Sequence, residues 1–283
     1  MVRLYTKDLN VGYGERLIVK DLTIDIPDKK ITTIIGPNGC GKSTLLKAMT
    51  RIISHQSGSI VLDGKSISKE NTKALAKKMA ILPQTPESAS GLTVTELVSY
   101  GRYPHQKGFG RLSRHDIEAI NWALEVTRTY EYKDLPVDSL SGGQRQRVWI
   151  AMALAQETEM IFLDEPTTYL DMAHQLEVLE LLQKLNKEQN RTIVMVLHDL
   201  NQAARFADHL IAIKDGEIVQ SGGCEDVICC EVLRKVFSID ADICIDPRTN
   251  KPMCLTYNLL KGEEIDAEET CPVSAIARAR AFA

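Results

Sequence analysis

The chain has 283 residues, 44% of them hydrophobic, with 38 acidic against 34 basic side chains and a formal net charge of −4. Such a chain buries a large core as one large domain or two modest ones, and it has no overall basic field to draw it to nucleic acid or to an anionic membrane surface. No apolar run approaches the roughly 18 residues that cross a bilayer, and the N-terminal stretch "MVRLYTKDLNVGYGERL" interleaves charges where a signal peptide holds an unbroken apolar segment, so a cytosolic protein is expected.

In chain order, the first 30 residues alternate, with Leu22, Ile24 and Ile26 on one face and Thr23 and Asp25 on the other, as in antiparallel strands with one wet side. "ITTII" then reads as a buried strand, and the chain leaves it through Gly36, Pro37, Asn38, Gly39, Cys40, Gly41, Lys42, Ser43 and Thr44. "GSIVLDGKSI" resumes the alternation through an Asp63-Gly64 turn. From about Gln84 to Leu140 the pattern becomes helical, with Ile117, Ile120 and Leu124 on one stripe, and reads as a helical insertion. "LSGGQRQR" opens a further helix. "MIFLDE" and "TIVMVLH" are continuous apolar runs, as in parallel strands covered on both faces. The helix between them carries Leu176, Leu179 and Leu182, which completes a strand-helix-strand unit and predicts an α/β core. "HLIAIKDGEIVQSG" is a hairpin turning at Asp215-Gly216, and the last twenty or so residues show no stripe and are expected to be disordered.

Plain chain reversal needs fewer glycines than the stretch from Gly36 to Thr44 holds. Gly36, Gly41, Lys42 and Ser43 fall on the G-x-x-x-x-G-K-[ST] spacing that wraps a phosphate chain in backbone N–H groups. A helix starting near Lys42 turns its positive dipole end toward the anion, Lys42 adds a full charge, and the Ser43 hydroxyl suits Mg²⁺. Asp164 and Glu165 end a buried strand whose carboxyl end opens into a crevice, where Asp164 is oriented toward Mg²⁺ and Glu165 polarises the attacking water. In "LSGGQ", Ser141 sits at an N-cap and Gly142 and Gly143 allow close approach, which makes a second anion-binding helix end.

The three segments "GPNGCGKST", "LSGGQRQR" and "IFLDEP", in that order, resemble the nucleotide-binding subunits of ATP-binding cassette transporters over roughly residues 2–222. The resemblance implies a P-loop cassette fold with an antiparallel β subdomain and an inserted helical subdomain. By the same resemblance Tyr13 stacks on adenine, Gln84 senses the γ-phosphate and reaches Mg²⁺, Asp171 lies in the subunit-contact loop, and His198 is the switch histidine. It further implies a head-to-tail homodimer, each ATP lying between the phosphate loop of one copy and Ser141, Gly142, Gly143 and Gln144 of the other. "YGRYPHQKGF", "DEPTTYLDMAHQLEVLELL", "VLHDLNQAARFADHLIAIKDG" and "VFSIDADICIDPRTNKPMC" are similar to the ATPases of bacterial ferric siderophore importers, the group related to vitamin B12 importers.

That narrower resemblance implies integral membrane permease subunits as partners, an extracytoplasmic siderophore-binding protein indirectly, no nucleic acid, and a place at the cytoplasmic face of the cell membrane. The expected layout is a cassette over residues 1–240 with helices inserted at about 85–150, a short extension over 241–262 and a tail over 263–283. A groove receiving a permease helix is expected along the segment from Gln84 to about Gly108, with Leu92 and Val94 presented to it. Seven cysteines, an odd number without paired C-x-x-C spacing, fit reduced thiols, and Cys40, beside Lys42 and a helix N-terminus, is expected to favour the thiolate. Competing readings are an importer ATPase for vitamin B12 or haem, a ribosome- or chromosome-associated cassette ATPase, and a phosphoryl-transfer kinase. One "LSGGQ" without sustained heptads argues against the second, and "LSGGQ" itself against the third.

Overall fold

The computed structural model describes residues 2–84, 90–106, 111–168 and 170–260; the expected disordered tail lies outside them. The elements run β1 (Val2–Tyr13), β2 (Arg16–Pro27), β3 (Ile31–Ile35), α1 (Lys42–Met49), β4 (Ser57–Leu62), β5 (Lys65–Ser66), α2 (Thr72–Ala76), β6 (Met79–Leu82), α3 (Val94–Ser99), α4 (Arg114–Val126), α5 (Gly142–Ala155), β7 (Met160–Asp164), α6 (Met172–Gln189), β8 (Thr192–Val196), α7 (Leu200–Phe206), β9 (His209–Lys214), β10 (Glu217–Gly222), α8 (Cys224–Val227), α9 (Cys230–Phe237), β11 (Ile239–Ile245) and β12 (Pro252–Leu259). The described residues form two compact units, 2–63 with 196–260, and those within 64–195.

In the first unit β1 pairs antiparallel with both β2 and β4. Leu4, Leu9 and Val11 of β1 are buried with Leu22, Ile24 and Ile26 of β2, the inward face expected from the alternation. β3 lies parallel to β9, with Thr32 opposite His209 and Ile35 opposite Ala212. All five residues of β3 are buried, as a strand covered on both faces requires. β10 returns antiparallel to β9, and the turn between them places Asp215 and Gly216 at φ 52° and 85°, the left-handed pair that a two-residue hairpin demands. β11 and β12 form an antiparallel hairpin, which buries Ile239, Ala241 and Cys254 against Leu233 of α9.

In the second unit β6 and β7 are parallel, with Met79 opposite Met160 and Leu82 opposite Leu163, and β8 is β7's other neighbour. α6 buries Val178, Leu179, Leu182, Leu185 and Asn186, so the expected stripe is corrected at Leu176, which is only half-buried. A three-residue spacing drifts around a helix of 3.6 residues per turn, whereas alternating steps of three and four stay on one face. α4 likewise buries Asp116, Ala119, Ile120, Ala123 and Leu124 and leaves Ile117 exposed. Ile120 and Leu124 keep their place, and the face is turned toward Asp116.

The reason lies in Arg102, which is 1% exposed. Its guanidinium donates to Asp116 Oδ1 at 2.8 Å, to Ala155 O at 2.6 Å and to Glu157 Oε2 at 2.6 Å. Ser113 donates to Asp116 Oδ2 through its N–H at 2.9 Å and its hydroxyl at 2.6 Å, so one carboxylate both caps α4 and neutralises the buried cation. Burial works to raise the Asp116 pKa, but hydrogen bonds from Ser113 and Arg102 outweigh it and hold the group at about 2. Because this folded-state value lies below the unfolded one, the stabilisation, about 2 kcal/mol, is present above pH 4 and lost as pH falls toward 2. Urea unfolding across that window should show the loss in the wild type and a flatter profile in Asp116→Asn. Arg102→Ala should lose about 3–5 kcal/mol at neutral pH, since it strands a buried carboxylate.

Candidate nucleotide site

The first unit holds the glycine-rich loop. Gly36 follows β3 at φ 155°, and a Cβ there would lie 2.1 Å from Ile213 O of β9, so no other residue fits at that approach. Gly39 and Gly41 take φ 80° and 106°, and Asn38 and Gly39 at the crest are exposed. Lys42 is 5% exposed. The loop curls around its ammonium, which donates to Gly36 O at 2.8 Å and Pro37 O at 2.9 Å. α1 begins with no side-chain cap and no acidic residue in its first turn, so its N-terminal N–H groups and dipole carry no local anion of their own. Ser43 and Thr44 are half-buried in that turn. A glycine cradle, a buried ammonium and an uncapped helix end form a donor set that fits a polyphosphate.

Cys40 departs from expectation. It is 4% exposed, and burial pushes its thiol up despite the opposing pull of Lys42. Its sulfur would lie 2.8 Å from a Cβ at Gly36, which places it under the loop. The expected thiolate is therefore corrected: desolvation outweighs the positive field. No disulfide joins the described cysteines, and no group of three or more His, Cys, Asp or Glu among the described residues is arranged to hold a metal ion.

Tyr13 ends β1 at 56% exposure, its ring open to solvent beside the turn to β2. His198, also exposed, sits between β8 and α7. The next residue, Asp199, caps α7 by accepting from Gln202 N–H at 2.8 Å.

In the second unit β7 delivers Asp164 fully buried and Glu165 8% exposed. Glu165 adopts φ 54°, a left-handed conformation that costs a non-glycine residue about 1–3 kcal/mol. Thr168 holds it there, donating its hydroxyl to Glu165 Oε2 at 3.0 Å and its N–H to Glu165 O at 3.2 Å.

Ser141 caps α5 as the sequence predicts, in a reciprocal box: Gln144 N–H donates to Ser141 Oγ at 3.3 Å and Ser141 N–H to Gln144 Oε1 at 2.9 Å. A Cβ at Gly143 would come 3.1 Å from Leu170 Cδ2, whereas one at Gly142 would meet nothing within 4 Å. Capping explains Ser141 and Gln144, and packing explains Gly143. Among the described residues nothing demands Gly142. Asp171 caps α6, accepting from His174 N–H at 2.9 Å, and that bond leads the causes that lower its pKa. His174 Nδ1 also lies 2.8 Å from its carboxylate. Gln84 is exposed two residues past β6, and residues 85–89 and Tyr169 lie outside the described set.

Two contacts escaped the sequence reading. Gln146 Nε2 donates to Pro166 O at 3.2 Å, tying the first turns of α5 to the segment after Glu165, and Arg145 reaches back to Leu140 O at 3.2 Å. Glutamine and arginine on a helix start carry no pattern that would have revealed either. The expected docking segment is corrected at Val94, which is fully buried with Leu97 and Val98. Thr93 and Glu96 form a capping box that turns α3 inward. Among the described residues of that segment, the exposed large apolar groups are Tyr100 and Tyr103, at 57% and 74%. No helix among the described residues is long and apolar enough to cross a membrane.

Comparison with known proteins matches this arrangement. The family model described as "ABC transporter" matches residues 19–168. The chain is 62% identical over 264 residues to the iron(3+)-hydroxamate import ATP-binding protein FhuC of Bacillus subtilis, covering 93% of this chain and 98% of that one. It is 45% identical over 253 residues to the ferric enterobactin transport ATP-binding protein FepC of Escherichia coli, covering 89% and 93%. Among solved structures, an inward-facing putative metal-chelate type ABC transporter superposes with a TM-score of 0.77 at 28% identity, covering 90% of this chain and 96% of that chain. A dimeric bacterial ABC transporter cassette gives 0.70 at 29% identity, covering 78% and 98%. With its glycine cradle, capped "LSGGQ" helix and strained Glu165, the chain belongs to the ABC transporter family and has the cassette fold.

Proposed function

We propose that the chain is the ATP-hydrolysing subunit of a bacterial ferric siderophore importer, acting as a homodimer on integral membrane permease subunits at the cytoplasmic face of the membrane. The observation that carries the reading is 62% identity, over nearly the full length of both chains, to an iron(3+)-hydroxamate import ATP-binding protein. The dimeric cassette among the similar structures supports the homodimer.

In this reading residues 36–44 wrap the phosphates of ATP, with the Lys42 ammonium moving from carbonyl to phosphate oxygens, and Tyr13 stacks on adenine. Ser43 and Asp164, with Gln84, would offer the hard oxygen donors that suit Mg²⁺, which would supply positive charge to neutralise the phosphates. Glu165 takes the proton as a water oxygen attacks the γ-phosphorus and the bond to the β-bridging oxygen of the leaving ADP breaks. His198 and Gln84 contact the γ-phosphate side. Gly142, open in this chain, admits the ATP bound to the other copy, with Ser141, Gly143 and Gln144 around it and Asp171 facing the partner. Cargo is chosen by the permease and the extracytoplasmic binding protein, which this subunit serves.

Glu165→Gln should lower ATP hydrolysis by roughly 10²- to 10⁴-fold while ATP binding survives. A nucleotide-bound dimer should then accumulate in gel filtration, and turnover at the wild-type rate would remove Glu165 from the role. Cys40 should be alkylated more slowly than the partly exposed Cys229 and Cys244, because burial withholds its thiolate. Mass spectrometry of the labelled protein reads this directly, and Cys40 labelling first would contradict it. Tyr100→Glu with Tyr103→Glu should abolish growth on ferric hydroxamates and leave hydrolysis by the isolated chain within about two-fold, since both rings are exposed in the free subunit. Wild-type growth would move the permease contact elsewhere.

A further inference from the structure

The hairpin of β11 and β12 is tied to α7 at three places, all within the first unit. Asn201, in the first turn of α7, pairs with both backbone groups of Cys254: its Nδ2 donates to Cys254 O at 3.0 Å, and Cys254 N–H donates to its Oδ1 at 2.8 Å. One side-chain amide thus takes the place of a neighbouring strand along β12. At the other end of α7, the Lys251 ammonium donates to Arg205 O at 3.1 Å and to Ala207 O, which satisfies carbonyls that the helix end leaves over. Beside Asn201, Leu200 packs on the cluster of Leu233, Ile239, Ala241 and Cys254. The turn carrying Lys251 is itself braced by Asp246, whose carboxylate accepts from Thr249 Oγ1 at 2.7 Å and Arg248 N–H at 3.0 Å.

α7 has seven residues, under two turns, a length that does not hold helical form unaided. His198 and the capping Asp199 stand directly before it, so α7 sets the C-terminal side of the frame of His198, while the Leu197 N–H bond to Ile34 O at 3.3 Å sets the other. We propose that the C-terminal hairpin is a clamp on α7 and that Asn201 and Lys251 are positioning residues for hydrolysis, acting through His198. The inference rests on the reading of His198 as a γ-phosphate contact. It gives the hairpin a task in the reaction although none of its own residues is assigned to nucleotide.

Asn201→Ala should lower kcat for ATP about tenfold with KM changed less than about two-fold, because a displaced His198 weakens the transition state more than ATP binding. The Cys254 amide should exchange its hydrogen faster, and Lys251→Ala should shift kcat in the same direction. In a His198→Ala background Asn201→Ala should remove nothing further from kcat, a non-additivity that general loosening of the fold would not produce. Asn201→Asp, which still accepts from Cys254 N–H, should recover part of the rate. If His198→Ala is slow but Asn201→Ala and Lys251→Ala both turn over at the wild-type rate, the clamp is overturned while the role of His198 stands. An additive loss in the double variant overturns it equally. His198→Ala at the wild-type rate overturns the role of His198 and the clamp with it. Should Asn201→Ala fail to fold, Lys251→Ala at the hairpin turn carries the same comparison.

Discussion

A buried ammonium must be solvated by something, and around Lys42 the solvent is backbone. Gly36 O and Pro37 O stand in for water at 2.8 and 2.9 Å. This holds only while the loop keeps its curl, and the curl depends on Gly36 pressing against Ile213 of β9, where a Cβ would collide at 2.1 Å. The parallel pairing of β3 and β9 therefore shapes the loop as much as its own glycines do. A buried charge held by neutral dipoles is poised to exchange them for anionic oxygens, which is what a phosphate site asks of its lysine.

Helix starts organise the other candidate residues. Ser141, Asp171 and Asp199 each begin a helix by accepting a backbone N–H with a side-chain oxygen. Capping accounts for each of these residue types, and what capping leaves over carries the functional signal. At α5 the remainder is Gly142, which faces open space. After β7 it is Glu165, which is held at positive φ by Thr168 when an asparagine or glycine would relax the turn.

Competition between burial and charge runs through the molecule with different winners. At Asp116, hydrogen bonds from Ser113 and Arg102 outweigh burial and the carboxyl stays ionised. At Cys40, one lysine fails to outweigh burial and the thiol stays protonated. A carboxylate spreads its charge over two oxygens that can each collect donors, whereas at the Cys40 sulfur the charge of Lys42 and the backbone N–H groups of Lys42 and Cys40 together fall short of the desolvation.

The sequence by itself determined the alternating strands of residues 1–30, the buried core strands "ITTII", "MIFLDE" and "TIVMVLH", the Asp215-Gly216 hairpin and the cap at Ser141. These depend on period, on turn chemistry or on local spacing, all of which are carried by neighbours in the chain. Only the tertiary structure decided which face of α4 turns inward, because that is set by Arg102, 14 residues away from Asp116. It likewise decided that Val94 packs inward, that Cys40 is desolvated, and that Asn201 joins a residue 53 positions further on. Rotation of a helix, burial of a thiol and pairing of an amide are properties of what comes to lie beside a residue in space, and no local period encodes that.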